Sequence, residues 1–274
     1  MICVLFKIAK LQSCLDDIRS FMNINKLKLN DNKTQMILFS SRYMQAPDYI
    51  PPIRMGDVIL PMSTCVKTLG VFFDSQLNMN THISSVCKSA NYHLRKLGRS
   101  RHYLTQSSTE TLVHAFISSK IDYCNSLLYG LPDTQVRRLQ YIQNSAARIV
   151  TRTRKFDHIS PVLLDLHWLP VRERIEYKIL LFVFKCLSEN VYSPVYLNQK
   201  INVYQPRRSL RSANHVSLQI PSFNLATCGK ISFKYSAPIL FNYLSTEIRD
   251  CNTIDTFKTK IKTHLFNRLY NLDD

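Results

Sequence analysis

The spacing of apolar residues changes near residue 80, and that change constrains the fold more than any other feature. Before it, Met36–Phe39, Val58–Leu60 and Val66–Phe73 are short apolar runs, cut apart by Pro51, Pro52, Gly56, Asp57 and Pro61. Runs of this length between turn formers read as strands. After it, apolar groups recur every three or four residues, the period of a helix that buries one side. Ile83, Cys87, Ala90, Leu94 and Leu97 mark one such face. Leu112, Ala115/Phe116 and Ser119 mark a second, opened by Ser107-Ser108-Thr109-Glu110 with capping-box spacing. Val136, Leu139, Ile142/Gln143, Ala146 and Ile149/Val150 mark a third, with Asp133 at its start as a cap. Ser160-Pro161 reads as an N-cap followed by Pro at the first helical position. Residues 173–188 read as a more buried helix, and Phe257, Ile261, Leu265 and Leu269 line a last one.

One further helical pattern, residues 10–24, precedes the strands, while Pro194, Pro206 and Pro221 break up 192–235 into a linker with short strands. The predicted class is therefore α+β: a small, incomplete antiparallel sheet followed by a mainly helical region. The expected divisions are 1–78, 79–190 and a less regular 191–274 that ends in a helix.

The side-chain inventory excludes several chemistries. Five glycines, at 56, 70, 98, 130 and 229, cannot build a GxGxxG or Walker-type phosphate loop. No GxSxG or HExxH occurs. No two of the eight cysteines are closer than eleven residues, so zinc-knuckle spacing is absent. The apolar start, Ile2–Phe6, lacks a preceding basic residue, and Ile179–Phe184 is too short to span a membrane. These features predict an intracellular chain, in cytoplasm or nucleus, with reduced and mostly core cysteines and no membrane or small-molecule partner. Asp16-Asp17 lies within a helical pattern and reads as a helix face; Asp273-Asp274 reads as a frayed terminus.

Charge supplies the positive signal. The chain has 36 Lys and Arg against 19 Asp and Glu, a net +17 that points to a polyanion. Residues 91–155 hold eleven Lys and Arg and three acids, with Tyr92, Tyr103, Tyr123, Tyr129 and Tyr141 among them. Cations neutralise phosphates and aromatics stack on bases, so RNA or DNA is the expected partner. Arg148, Arg152, Arg154 and Lys155 crowd one helix end and are the expected phosphate contacts, with Arg207, Arg208 and Arg211 as the alternative cluster. The competing role for one or two of the four is to cap that helix's C-terminal carbonyls.

Longer strings carry a resemblance. Asn25–Asn30 with Lys33-Thr34 and Met36–Ser40, then Thr68–Asp74, Asp122–Pro132, Gln143–Arg148, Asp157–Leu163, Leu166–Val171, Ser236–Asn242, Phe257-Lys258 and Lys262–Phe266, resemble the reverse transcriptases of non-LTR (jockey-like, long interspersed element) retrotransposons. They follow that family's order from about residue 11 to 270. The resemblance implies the end of the palm, the thumb and the C-terminal region. It places Lys33 near the nucleotide, where it would steady or protonate the leaving pyrophosphate, and Leu69, Gly70 and Val71 at the primer end. By their residue types alone these four read as an exposed loop lysine and a strand bend at a glycine. Two usual tryptophans stand here as Phe21 and Phe241.

The family's paired catalytic aspartates are not matched in this sequence. The expectation is a fragment that binds RNA or DNA without nucleotidyl transfer and has no cofactor of its own, whereas the intact family enzyme uses Mg2+. The alternatives are a stand-alone non-catalytic nucleic-acid-binding or interaction module, or a decayed element with no function.

Overall fold

The computed structural model describes residues 2–30, 33–40, 50–56, 58–188, 193–205, 215–223 and 226–270. The fold is α+β and mostly helical, in two compact units, Met1–Ser84 and Ser85–Asp274.

The first unit opens with helix α1 (Ile2–Ile24). Among the described residues six short strands follow: β1 (Met36–Ile37), β2 (Arg54–Met55), β3 (Val58–Ile59), β4 (Met62–Ser63), β5 (Cys65–Thr68) and β6 (Val71–Asp74). They form three two-stranded ladders instead of one sheet: β1 with β4 in parallel, β2 with β3 and β5 with β6 antiparallel. The apolar stretch Val66–Phe73 folds back on itself, because Thr68 pairs with Val71 and leaves Leu69-Gly70 as a two-residue turn. Ile53, Met55 and Leu60 form the buried centre, with Leu15 of α1, Leu29 and Met36 packed against it. Elsewhere α1 exposes Leu11, Ile18, Phe21 and Ile24.

Helix α2 (Asn80–Ser100) starts the helical part and buries Ile83, Ala90, Leu94 and Leu97, the face its sequence predicts. Helix α3 (Gln106–Val113) begins earlier than expected. Its cap is Thr105, whose hydroxyl accepts from the Ser108 amide at 3.2 Å, so Glu110 is free of capping duty. Its buried face is also different: Thr109, Val113, Ile117 and Ile121 are buried, whereas Ala115, Phe116 and Ser119 are exposed. A π-helical turn, His114–Ser118, joins α3 to α4 (Ser119–Asp122). Positions four apart drift slowly round a regular helix, and the wider turn offsets that drift.

Helix α5 (Asp133–Thr151) buries Leu139, Ile142, Gln143, Ala146, Ala147 and Val150. Asp133 lies inside its first turn and pairs with Arg172; Pro132 holds the cap position. Helix α6 (Ile159–Asp165) starts after His158, so Ser160 and Pro161 stand in its first turn instead of Ser160 capping it. Helix α7 (Val171–Leu187) is central and packs against α5, α10 (Phe233–Asn242) and α12 (Ile254–Tyr270). Phe257 of α12 is fully buried and stacks on Phe184 of α7 with ring centres 4.4 Å apart. Short helices α8 (Val195–Asn198), α9 (Ala226–Ile231) and α11 (Thr246–Arg249) complete the unit. An isolated bridge, Val203 with Leu218, is held by Asn242, which bonds both backbone groups of Leu218 at 2.8 Å. Phe241, one of the two expected tryptophan positions, is wholly buried, while Phe21 is 62% exposed. The six described cysteines are free; Cys14 is exposed and the others are half-buried, not the core residues expected.

Glu173 is buried in the first turn of α7. Burial raises its carboxyl above the ordinary range and Glu176 adds to this, against a bond from its own backbone amide and the charges of Arg268 and Arg172. A carboxyl raised on folding stabilises the protein below its unfolded pKa, and that contribution is lost as pH rises through the folded value. Glu173→Gln should therefore raise the melting temperature by on the order of a few degrees at pH 8 and by less at pH 4. Melts of both proteins across that range check this; a gain independent of pH contradicts it.

Candidate nucleic-acid interface

The C-terminal end of α5 is built by cations that serve the backbone first. Four terminal carbonyls of a helix lack helical partners, and the dipole makes that end negative. Arg101 answers this from the turn after α2: its Nε donates to the Ile149 carbonyl at 2.7 Å and Nη2 to the Val150 carbonyl at 2.8 Å. Its Nη1 donates to the Leu104 carbonyl at 2.6 Å. The capping role that the sequence offers to the 148–155 cluster thus falls largely to a cation nearly fifty residues away.

Arg152 takes the helix C-cap in the left-handed region, at φ 58°, and turns the chain sharply. Arg148 then braces the loop that follows, donating to the carbonyls of Arg154 at 2.6 Å and Asp157 at 2.8 Å. The Asp157 carboxylate accepts from the Arg154 amide at 3.0 Å, which closes the turn. Of the four expected phosphate contacts, Arg148 is therefore committed to the scaffold. Arg152, Arg154 and Lys155 are brought together and exposed on that loop. Arg152 Nη2 lies 3.4 Å from the Arg101 carbonyl. Burial, and then the charge of Arg152, push the Arg101 pKa down. Like charges held this close gain from an anion between them.

Exposed aromatic rings occur in the same stretch of the chain as these cations. Tyr92, Tyr103, Tyr123 and Tyr141 are exposed, and only Tyr129 of the five expected tyrosines is partly buried. Lys96 lies 4.6 Å from the centre of the Tyr92 ring. Phe156 is 91% exposed, with Lys155 Nζ 5.9 Å from its ring centre. It stands outside the five tyrosines that the sequence singles out. The available signal is a lone apolar ring inside Arg152–His158, where no helical or strand period accounts for it.

The residues assigned to nucleotide and primer lie in the first unit. Lys33 is exposed on a short helical turn just before β1, its amide bonded to the Asn30 carbonyl at 3.0 Å. Leu69 and Gly70 form the β5–β6 turn with φ of 48° and 85°. Two positive φ values make the turn that suits a twisted hairpin, and Gly at the second position carries no steric cost. Leu69 does carry one, and it projects its side chain 85% exposed. Val71 turns inward and is buried.

A cavity of about 520 Å³ in the helical unit is lined by Glu110, His114, Trp168, Arg174, Tyr177 and Lys178, among others. Trp168 is buried and donates from Nε1 to Glu110 Oε1 at 3.2 Å. Arg174 pairs with Asp122 at 2.5 Å and bonds the Leu169 carbonyl at 2.9 Å. Gln143 holds that same carbonyl at 2.8 Å, and Gln140 accepts from the Val171 amide at 2.9 Å at the start of α7. Gln143 and Gln140 thus fasten α5 to the start of α7, and Asp122 fastens the end of α4 to it.

Among the described residues no three His, Cys, Asp or Glu side chains are grouped to hold a metal ion. Asp16 and Asp17 stand exposed on α1, with Asp16 accepting from Gln12 at 3.1 Å. Arg207, Arg208, Arg211, Asp273 and Asp274 lie outside the described residues. No helix among the described residues is long and apolar enough to cross a membrane.

No protein-family profile matches the chain, and no solved structure matches it. Over 151 residues, 54% of the chain, it is 26% identical to the probable RNA-directed DNA polymerase from transposon X-element of Drosophila melanogaster. The chain spans only 16% of that protein's length. The similarity relates the chain to a transposon polymerase.

Proposed function

We propose that this chain derives from the reverse transcriptase of a non-LTR retrotransposon and binds RNA or DNA through the C-terminal end of α5. The observation that carries this is the exposed loop on which Arg152, Arg154 and Lys155 stand together, braced by Arg148 and abutting Arg101. Phosphates neutralise such a group, and each contact releases counterions. In this reading residues 1–78 correspond to part of the palm, 79–190 to a thumb-like region and 191–274 to the C-terminal region. Lys33 stands near the nucleotide, and the Leu69-Gly70-Val71 hairpin holds the primer end. The setting is inside the cell, in cytoplasm or nucleus.

The chain by itself transfers no nucleotide. Asp16 and Asp17 are adjacent on a helix, where neighbouring side chains point to different faces and cannot jointly hold ions. Primer extension on an RNA template with magnesium should give no product from the isolated chain.

Binding is tested by titrating RNA and DNA at several salt concentrations. The logarithm of affinity should fall with the logarithm of salt by about 0.9 per contact on duplex DNA and about 0.7 on single strands. Changing Arg152, Arg154 and Lys155 together to Gln should weaken binding and flatten that slope by about two to three contacts, with little loss of fold. Unchanged affinity in the triple variant would displace the site from this loop.

A further inference from the structure

We infer that the loop beyond α5 binds single-stranded nucleic acid, with bases stacked on Phe156 and Tyr103 and phosphates on the adjoining cations. This rests on the nucleic-acid reading above and adds the form of the ligand. Tyr103 and Phe156 are each 91% exposed, the most open large aromatics among the described residues. Both occupy short non-repetitive segments next to cations: Tyr103 closes the turn Arg101–Tyr103, and Phe156 follows Arg154 and Lys155. The two segments are tied to one another at the end of α5. Arg101 grips the carbonyls of Ile149 and Val150, and Arg152 reaches back to the Arg101 carbonyl. Arg148 fixes the carbonyl of Asp157, directly after Phe156, so that ring stands on a braced turn.

A fully exposed phenyl ring gains nothing from water, whereas the face of an unpaired base covers it. In a duplex those faces are already stacked on their neighbours, so flat rings on a convex loop have nothing to cover. With a ring and cations on each of the two segments, the site offers contacts to both the bases and the phosphates of such a strand. A cation beside a ring also strengthens its hold on a stacked base. A purely electrostatic site would need the cations alone.

The test compares the full chain's affinity for three probes. These are a single-stranded RNA of about 12 nucleotides, within the usual footprint of single-strand binders, the same RNA as a duplex, and an abasic strand of equal length with every phosphate retained. The intact single strand should bind more tightly than the abasic strand by roughly five- to a hundredfold per stacked ring, and more tightly than the duplex. Phe156→Ala with Tyr103→Ala should remove the difference between intact and abasic strands while leaving abasic binding unchanged. Phe156→Trp should retain it. Both rings are exposed, so emission of the single tryptophan, Trp168, should be unaltered in the double alanine variant and reports that it is folded, while far-ultraviolet circular dichroism reports the same for Phe156→Trp. Equal binding of intact and abasic strands by the unaltered chain overturns the stacking inference and leaves the phosphate site intact. Failure to bind any of the three overturns the reading beneath it.

Discussion

Phe257→Ala is expected to destabilise the helical unit by about 3–5 kcal/mol, a large share of the roughly 5–15 kcal/mol that holds a typical domain folded. Phe257 has no exposed surface and stacks on Phe184, so its ring joins α12 to the central helix α7. Truncation removes the transfer energy of the ring and leaves a void between two helices that cannot close without moving α12. Ile261 and Leu265 are equally buried one and two turns further on, and they hold α12 too firmly for easy collapse. Phe257→Leu, which keeps most of the volume, should cost less than about 1.5 kcal/mol. The chain has two compact units, so a single global transition is the wrong observable. Urea unfolding followed by Trp168 emission reads the helical unit directly. If the alanine variant unfolded at the same urea concentration as the parent, the packing described for α12 would be incorrect.

Arg101→Met should cost about 2–4 kcal/mol and also weaken nucleic-acid binding. The guanidinium bonds three backbone carbonyls, of Ile149, Val150 and Leu104, and Met fills the space without a donor. Hydrogen bonds to a charged group are each worth about 1.5–3 kcal/mol, and partial exposure lets water replace some of that loss. Lysine should rescue only part of it, since an ammonium cannot present the planar fork that reaches several carbonyls at once. Arg152→Gln separates the two effects. Its one bond, to the Arg101 carbonyl, is long at 3.4 Å, so stability should change by less than about 0.5 kcal/mol while affinity falls. Thermal melts and salt titrations on the three variants check this. Parental stability in Arg101→Met would mean that the α5 terminus is capped in another way.

Phe257 and Arg101 also mark how far the sequence can be read. The α12 stripe Phe257, Ile261 and Leu265 is a local pattern, since a helix with that spacing can bury only that side. The same holds for Ile83, Ala90, Leu94 and Leu97 of α2, and for Leu139, Ile142 and Ala146 of α5. Arg101 could not be assigned this way. The two helix carbonyls it caps lie 48 and 49 residues away, and nothing in its neighbours distinguishes it from Arg99 or Arg95.

The amino-acid order alone determined the change from short strands to helices near residue 80, the α+β class and the buried stripes of the long helices. These depend on side-chain period and turn formers within about ten residues. It also determined the concentration of cations around the end of α5. Tertiary structure decided what each cation does: Arg148 and Arg101 hold backbone, while Arg152, Arg154 and Lys155 face solvent. It decided that Thr109, Val113 and Ile117 point inward, because the π-helical turn breaks the regular period on which a sequence reading relies. It left Phe156 outside, although the residue type favours burial, because the turn that Arg148 and Asp157 close offers no neighbour to cover it. Hydrogen-bonding groups are satisfied by whatever partner the fold brings within about 3 Å, and that choice is made between segments distant along the chain.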